Sequence, residues 1–512
     1  MVNKVVVLGG GTAGWITASL IAAEKIKGVQ VALVESPDIP IIGVGEGTWP
    51  SMRSTLQKIG LSERDLLRQT QGSFKQGSKF IGWTRGEGES YLHPFSFPLN
   101  FAAHNPAQYW LASEARSQSF AAAMTPQEAV INAGRAPKQR DTPDFAFNVN
   151  YGYHLDANQF SKVLRQHAVD NLNVQHIVGH VANVQSDKST GDITKLILKT
   201  QQEIEGDLFV DCSGQSALLI GQHYGIETQD VAGYLFNDRA LAVQVPYENQ
   251  SQEILSTTDA TACKAGWIWD IGLQSRRGVG YVFSSNHIDS SKAIEQLKSY
   301  VETTAPEVDF CSLDYKSLQF TSGYRRVLWT HNCVAVGLAA GFVEPLEASA
   351  LALVEQSAKF ISENLPETKE TMKVAAKRFN TKMNYHWEKI VEFLKMHYVL
   401  TKRTDTAYWC DHKSKETCPV ELLEKLQLWN QQTPWHDDAP MLDELFPSAS
   451  YQYILYGMRP DILLSGRKSK SNRIAGATGE KLRQEVQLRA ERLVSALPSN
   501  RTLLNQIIAG QN

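Results

Sequence analysis

Three stretches of this sequence bring together residue types that bind ligands or move protons. The first is Gly9-Gly10-Gly11-Thr12-Ala13-Gly14, between the apolar run Lys4 to Leu8 and a helical pattern from Trp15 to Ala23. Strand, GxGxxG and helix in that order cradle a dinucleotide's pyrophosphate. Gly9 makes the turn, Gly11 admits the phosphates and Gly14 lets the helix pack on the strand. The second predicted strand, Val29 to Val34, ends in Glu35, where an acid accepts from a ribose hydroxyl. The second stretch is Asn332 to Leu351: a strand Val334 to Val336, small residues from Gly337, and a helix expected to open at Pro345. Glu344 and Glu347 stand one turn apart there, at a helix end that also suits an anion or a cofactor edge. A solvated helix start would read the same way. The third stretch is Gly77 to Trp83, where Lys79 alternates with apolar residues as on a strand. The aromatic loop His93 to Pro98 follows it.

These groups need a scaffold. Asp156 to Val169 reads as a helix with Asp156 as N-cap, and Thr125 to Ala133 as a helix with a Thr125/Glu128 capping box. Strands are expected at His176 to Gln185 and Ile193 to Lys199, and more strands across residues 230–310. From Leu351 onward the spacing is mostly helical, including Thr368 to Leu394, Leu422 to Trp429 and Gly479 to Leu497, with a basic break at Arg467 to Asn472. Ser36 to Trp49 carries Gly43, Gly45 and Gly47 at alternating positions, as a backbone-led loop.

Composition narrows the class. Among 512 residues, 51 basic side chains meet 54 acidic ones, so nothing points to a nucleic-acid or membrane surface. Six scattered cysteines without CxxC spacing fit a reduced compartment, with no zinc site and no other metal expected. Without an apolar span or a leader before Lys4, a cytoplasmic location is expected. No second GxGxxG is present for a nicotinamide cofactor.

With these residues located, the chain resembles the flavin-dependent tryptophan halogenases, from Val5 to about Trp409 and more weakly beyond. The family marker WxWxIP is matched by Trp267, Trp269 and Ile271, with Gly272 in place of proline. The family lysine is assigned to Lys79. The family's P-L-E-S-T-G run falls on Pro345-Leu346-Glu347-Ala348-Ser349-Ala350, which makes Glu347 the implied catalytic glutamate. Ser349 and Ala350 then offer their backbone N–H groups to the halide. His93 and Phe95 resemble the pair that sandwiches the indole. Asp207 to Gly214 and Gly337 to Gly341 resemble two FAD segments of glutathione-reductase-type and hydroxylase-type flavoproteins, with Leu338 where an Asp is usual. Gly45 belongs to a loop resembling the strap that joins flavin and substrate sites.

The resemblance implies an α/β (α+β) chain. A glutathione-reductase/hydroxylase-type FAD-binding module with a substrate-side sheet is expected over residues 1–360, and a mostly helical substrate-covering module over residues 361–512. It implies that a separate flavin reductase supplies FADH2, which reacts with O2 to a C4a-hydroperoxide. A chloride or bromide ion attacks this to give hypohalous acid, which travels a tunnel to the substrate. Lys79 holds the oxidant there and Glu347 takes the ring proton. Trp267 and Trp269 resemble the residues that keep substrate from the flavin. A homodimer is compatible with the resemblance and not dictated by it. Two alternatives share the FAD features: an aromatic hydroxylase, which needs neither Lys79 nor the tryptophans, and a flavin-binding paralogue without halogenation. The stretch Ser450 to Pro460 corresponds to the family's amino-acid clamp. Tyr456 is its expected substrate contact, but no glutamate accompanies it to pair an ammonium. An indole other than free tryptophan is therefore the expected substrate.

Overall fold

The computed structural model describes residues 2–38, 45–462 and 473–510. The chain divides into two compact units, each assembled from three separated segments. The first comprises Met1–Thr70, Leu155–Val231 and Thr321–Glu388. The second comprises Gln71–His154, Ala232–Phe320 and Lys389–Asn512. The division therefore does not fall at a single cut near residue 360. Strands from the middle of the chain complete both units.

The first unit is built on a six-stranded sheet in the order Trp329–Thr330, Cys333–Ala335, Leu208–Asp211, Lys4–Leu8, Gln30–Glu35, Gln175–Val178. All neighbours are parallel except the first pair. Burial on both faces explains why its central strands are continuous apolar runs: Val5, Val6, Val7, Phe209 and Val210 have no accessible surface. Helix Thr12–Ala23 packs against helices Ala157–Leu172 and Ser349–Glu363. Asp156 caps the second of these as expected, accepting from Gln159 N at 3.1 Å. The expected strand His176 to Gln185 is two strands, Gln175–Val178 and Val181–Ser186, in different sheets. The chain turns at Gly179, whose N–H bonds to Glu35 O, and a side chain there would strike Leu198.

The second unit centres on a seven-stranded sheet in the order Tyr315–Gln319, Arg239–Pro246, Arg276–Phe283, Gly266–Gly272, Thr257–Ala262, Gly77–Ile81, Ser90–Pro94. Register assigns its side chains to two faces. Ser78 pairs with His93 and Thr258, and Phe80 with Tyr91 and Ala260, which pairs with Trp269. These residues share one face, where Trp83 and His397 pack on Phe80, and Trp83 on Trp267. Lys79 pairs with Leu92 and Asp259, and Asp259 with Asp270, so these residues share the other face. There Asp270 is held by a bidentate Arg277 and by Tyr300 from helix Ser290–Thr304. Helix Gln127–Asn132 starts after Pro126, and the expected capping box is not made because Glu128 accepts from Ser119 Oγ at 2.9 Å instead. No helix among the described residues is long and apolar enough to cross a membrane.

Candidate active site

In the first unit the glycine turn is fixed by contact. Gly9 has φ +123°, and a Cβ there would lie 2.1 Å from Cys212 O. A Cβ at Gly14 would lie 1.9 Å from Gly9 O, so helix and strand ends meet with no room for side chains. A Cβ at Gly11 meets nothing within 4 Å, which leaves open space over the start of helix Thr12–Ala23. Thr12 and Ala13 supply the first N–H groups of that helix, whose positive end suits a phosphate. Glu35 ends its strand beside Gly10 and accepts from His176 Nε2 at 2.8 Å. Asp211, fully buried, ties the next segment together. One oxygen accepts from Ser213 N and Oγ, the other from Leu219 N and Ile220 N. Gly337 has φ +69° and lies against Ala13, while Leu338 is 41% exposed and turns outward. Gly45 has φ +99°, and Gly43 lies outside the described residues.

Pro345 does not open a helix. Leu346–Ala348 forms one tight 3-10 turn, and the helix begins at Ser349. Glu347 (φ 66°, ψ 0°) and Ala348 (φ 55°, ψ 44°) are both left-handed without being glycine, a strained arrangement that surrounding structure must hold. Ala350 needs no positive φ, so alanine there carries no backbone penalty. Glu347 is 6% exposed. Its carbonyl accepts from Trp49 Nε1 at 2.8 Å. Ala348 caps the helix without a side-chain bond, leaving the N–H groups of Ser349 and Ala350 without helical acceptors. The left-handed Ala348 followed by the right-handed Ser349 turns successive N–H groups toward one concavity, a geometry that holds anions. Two turns along, Glu355 is buried and accepts from Ser51 Oγ at 3.0 Å and Thr55 Oγ1 at 2.5 Å. Burial pushes its carboxyl up to about 7, against the pull of the two hydroxyls.

In the second unit the aromatic loop is pinned from several sides. Phe95 N donates to Gln76 O at 2.9 Å, Asn150 Nδ2 to Phe95 O at 2.9 Å, and Tyr453 Oη to Ser96 O at 2.9 Å. His93 Nε2 lies 2.9 Å from Ser450 Oγ, with its ring against Phe393 and Tyr453. Beside this loop lies Lys75, at the end of strand Ser73–Lys75. It has no accessible surface, and its Nζ stands 5.4 Å from the centre of the Phe95 ring. Lys75 shares a face with His154, whose Nε2 lies 2.9 Å from Thr258 Oγ1 on the His93 side of the large sheet. Burial, then the Lys75 charge, keeps His154 well below its usual pKa and hence neutral.

Residues 4–464 match the tryptophan halogenase family. The chain belongs to that family. It is 31% identical over 536 aligned residues to tryptophan 6-halogenase ThaL of Streptomyces albogriseolus, covering 99% of this chain and 98% of that one. The crystal structure of a tryptophan halogenase from Shewanella frigidimarina NCIMB 400 is 42% identical, with TM-score 0.94 over 99% of this chain and 98% of that one. BrvH, a flavin-dependent halogenase from Brevundimonas sp. BAL3, is 29% identical with TM-score 0.84 over 99% of both chains. The likeness thus extends well past Trp409.

This halogenase is an FAD-dependent enzyme, and the cradle at Gly9 to Gly14 fits that cofactor: it has open space over Gly11 and N–H groups at a helix start. Two expected site residues are placed in ways that spacing does not show. Lys79 points to the sheet face opposite His93, into a field of carboxyls. Burial pushes Asp259 up to about 6 and raises Glu128, while the Lys79 charge pulls both down. Among the described residues no hydrogen bond or ion pair joins Lys79 to the His93 loop. Tyr456 is buried with its ring between Trp110 and Phe120, and its hydroxyl has no protein partner among the described residues. Lys75, which spacing does not single out, is the lysine whose Nζ stands beside the aromatic loop. Lys75 and Lys79 are four apart but lie in two short strands of different sheets, which separates them. Trp267, Trp269 and Ile271 line the His93 face, each under a tenth exposed. A Cβ at Gly272 would crowd Ile254 Cγ2 at 2.8 Å, which leaves little room for the marker's proline.

Proposed function

We propose that this halogenase acts on an electron-rich indole other than free tryptophan, with Lys75 in the role assigned above to Lys79. The observation that carries the reading is a lysine without accessible surface whose ammonium stands over Phe95, on the His93 side of the sheet. A desolvated ammonium is a compact three-donor group able to hold a polar oxidant against an aromatic ring. The neutral His154 beside it adds no competing charge. Bound FAD, supplied in reduced form by a separate flavin reductase, provides the electrons and activates oxygen. Gly9, Gly11, Thr12, Ala13, Gly14, Glu35, Gly45, Gly337 and Leu338 are the residues proposed to receive it. The N–H groups of Ser349 and Ala350 hold chloride or bromide at the helix start. The Glu347 carboxylate, held rigidly by its turn, accepts the proton that the ring loses on substitution and stabilises the positive charge before it leaves. His93 and Phe95 flank the ring.

The substrate reading rests on the tyrosines of Ser448–Met458. Tyr451 Oη donates to Glu392 and Tyr453 Oη to Ser96 O, so neither is left to clamp an amino acid, and the helix offers no glutamate beside the unpartnered Tyr456 hydroxyl to pair an ammonium. Glu392 is itself engaged by Lys389 and Lys425. The experiment is mass spectrometry of an indole and phenol panel with FAD, a flavin reductase and each halide in turn. Replacement of one hydrogen by the supplied halogen is expected. Oxygen insertion, or peroxide alone, refutes the reading.

A further inference from the structure

We propose that Glu355 is a positioning residue for halogenation: its buried carboxyl fastens helix Ser51–Ile59 to helix Ser349–Glu363 and so holds the turn that carries Glu347. The inference rests on the role given to Glu347 above. Ser51 and Thr55 lie at i and i+4 on one face of their helix, and their hydroxyls reach the two different oxygens of Glu355 at 3.0 and 2.5 Å. Glu355 is 4% exposed and shares its stretch of helix with buried Leu351, Ala352, Leu353, Val354 and Ala358. A carboxyl in such surroundings is costly unless hydrogen-bonded, and both its oxygens are. Trp49 stands two residues before Ser51, and its ring N–H is the bond on the Glu347 carbonyl. One short segment, Trp49 to Thr55, therefore grips the second helix at two points: at the turn before it begins, and about 9 Å along it at 1.5 Å per residue from Ser349.

The first grip bears on strained backbone. Glu347 and Ala348 adopt left-handed angles that ordinary residues leave when nothing holds them. The Trp49 bond holds that turn only while Trp49 is fixed in height and rotation relative to the helix. The Glu355 pair supplies this reference, because it sets where Ser51 and Thr55 sit on helix Ser349–Glu363. Loss of the pair lets Trp49 drift. The turn then relaxes, displacing the Glu347 carboxylate and the N–H groups of Ser349 and Ala350 together. The tightest contacts of the glycine turn itself are among Gly9, Gly14 and Cys212, so FAD affinity reports whether the packing of helix Thr12–Ala23 on helix Ser349–Glu363 is kept.

The test is a cycle of Glu355→Leu, Thr55→Val and the double variant, with Glu355→Gln as the conservative replacement. Halogenated product per FADH2 consumed, kcat and the halide KM are measured, and FAD affinity is measured separately by fluorescence. We expect Glu355→Leu to lower kcat about tenfold or more, raise the halide KM, and leave FAD affinity within about twofold. Thr55→Val should act in the same direction, the double variant should be no worse than Glu355→Leu, and Glu355→Gln should recover most of the rate. Unchanged kcat in Glu355→Leu, or losses that multiply in the double variant, overturn the proposal. Hydrogen exchange keeps the proposal testable if wild-type protein halogenates nothing, an outcome that would sink the functional reading alone. Peptides over residues 51–60 and 346–353 should both exchange faster in Glu355→Leu, or in Thr55→Val if the leucine variant does not fold. Loosening confined to residues 51–60 refutes the coupling.

Discussion

Replacing Lys75 and Lys79 in turn by methionine separates the two candidate lysines. Methionine keeps most of the length and the apolar stem and removes the charge, so a buried site is refilled rather than emptied. Lys75 has no accessible surface, and a solvent cation cannot take its place over Phe95. Loss of one positioned proton-handling group costs about 10²- to 10⁴-fold, which at about 1.36 kcal/mol per decade is roughly 2.7–5.4 kcal/mol of barrier. Lys79 lies across from Asp259 on a half-buried sheet face. A cross-strand pair of opposite charges contributes about 0.2–1 kcal/mol. Even if all of this entered the barrier, the rate would fall only about fivefold. The assay is halogenated product by mass spectrometry, with flavin oxidation followed in parallel to report an intact cofactor site. Lys75→Met should oxidise flavin and make almost no halogenated product. Lys79→Met should do both, with an Asp259 carboxyl that titrates higher than about 6 because the charge lowering it is gone. Halogenation by Lys75→Met within fivefold of wild type, or a hundredfold loss in Lys79→Met, refutes the assignment.

Glu355 makes stability fall as pH rises. Its carboxyl titrates at about 7 in the folded protein against 4.5 for a glutamate side chain in water. The raised value means its contribution is intact below about 4.5 and is lost as pH climbs through 7. The difference, 7 − 4.5 = 2.5, corresponds to about 3 kcal/mol. Wild type should lose more denaturant resistance than Glu355→Gln between pH 6 and 9, and parallel curves for the two would contradict the shift. Gly9→Ala should weaken FAD binding at least about tenfold, because its φ and the contact with Cys212 O both exclude a side chain; affinity by flavin fluorescence decides this. In competition under one halide, indole should show a higher kcat/KM than L-tryptophan, and the reverse order would return the amino-acid clamp to consideration.

The cofactor half of the site was legible because it is local. Gly9 to Gly14 and the strand to Glu35 carry their instructions within about thirty residues, and the structure folds them as expected. The substrate half was not, because the strand breaks between Lys75 and Lys79 and puts them in two different sheets, which spacing does not show. The pairing of Ser78 with His93 turns Lys79 to the opposite face, while Lys75 pairs with Gly152 in the other sheet and its Nζ reaches the Phe95 ring. Spacing marked Glu347 but missed the turn that presents it, since a proline before an apolar periodic run reads as a helix start. The left-handed pair at Glu347 and Ala348 involves neither glycine nor asparagine to announce it. Spacing likewise does not show that the Tyr456 ring packs against Trp110 and Phe120.

The interleaving of the two units sets the order in which the chain becomes a protein on the ribosome. The first strand, Lys4–Leu8, is made at once, but its sheet waits for Leu208–Asp211 and then for Cys333–Ala335. Neither unit closes before residue 388 has left the tunnel, because the first ends there and the second ends later. At about 5–20 residues per second that is roughly 20–80 s during which apolar strands stand unpaired. Slowing translation lengthens this exposure instead of giving a finished domain time to fold. Recombination is constrained as well. Any single crossover between this chain and a relative cuts through at least one unit, so hybrid enzymes are better made by exchanging short segments such as Tyr91 to Phe101 than by swapping halves.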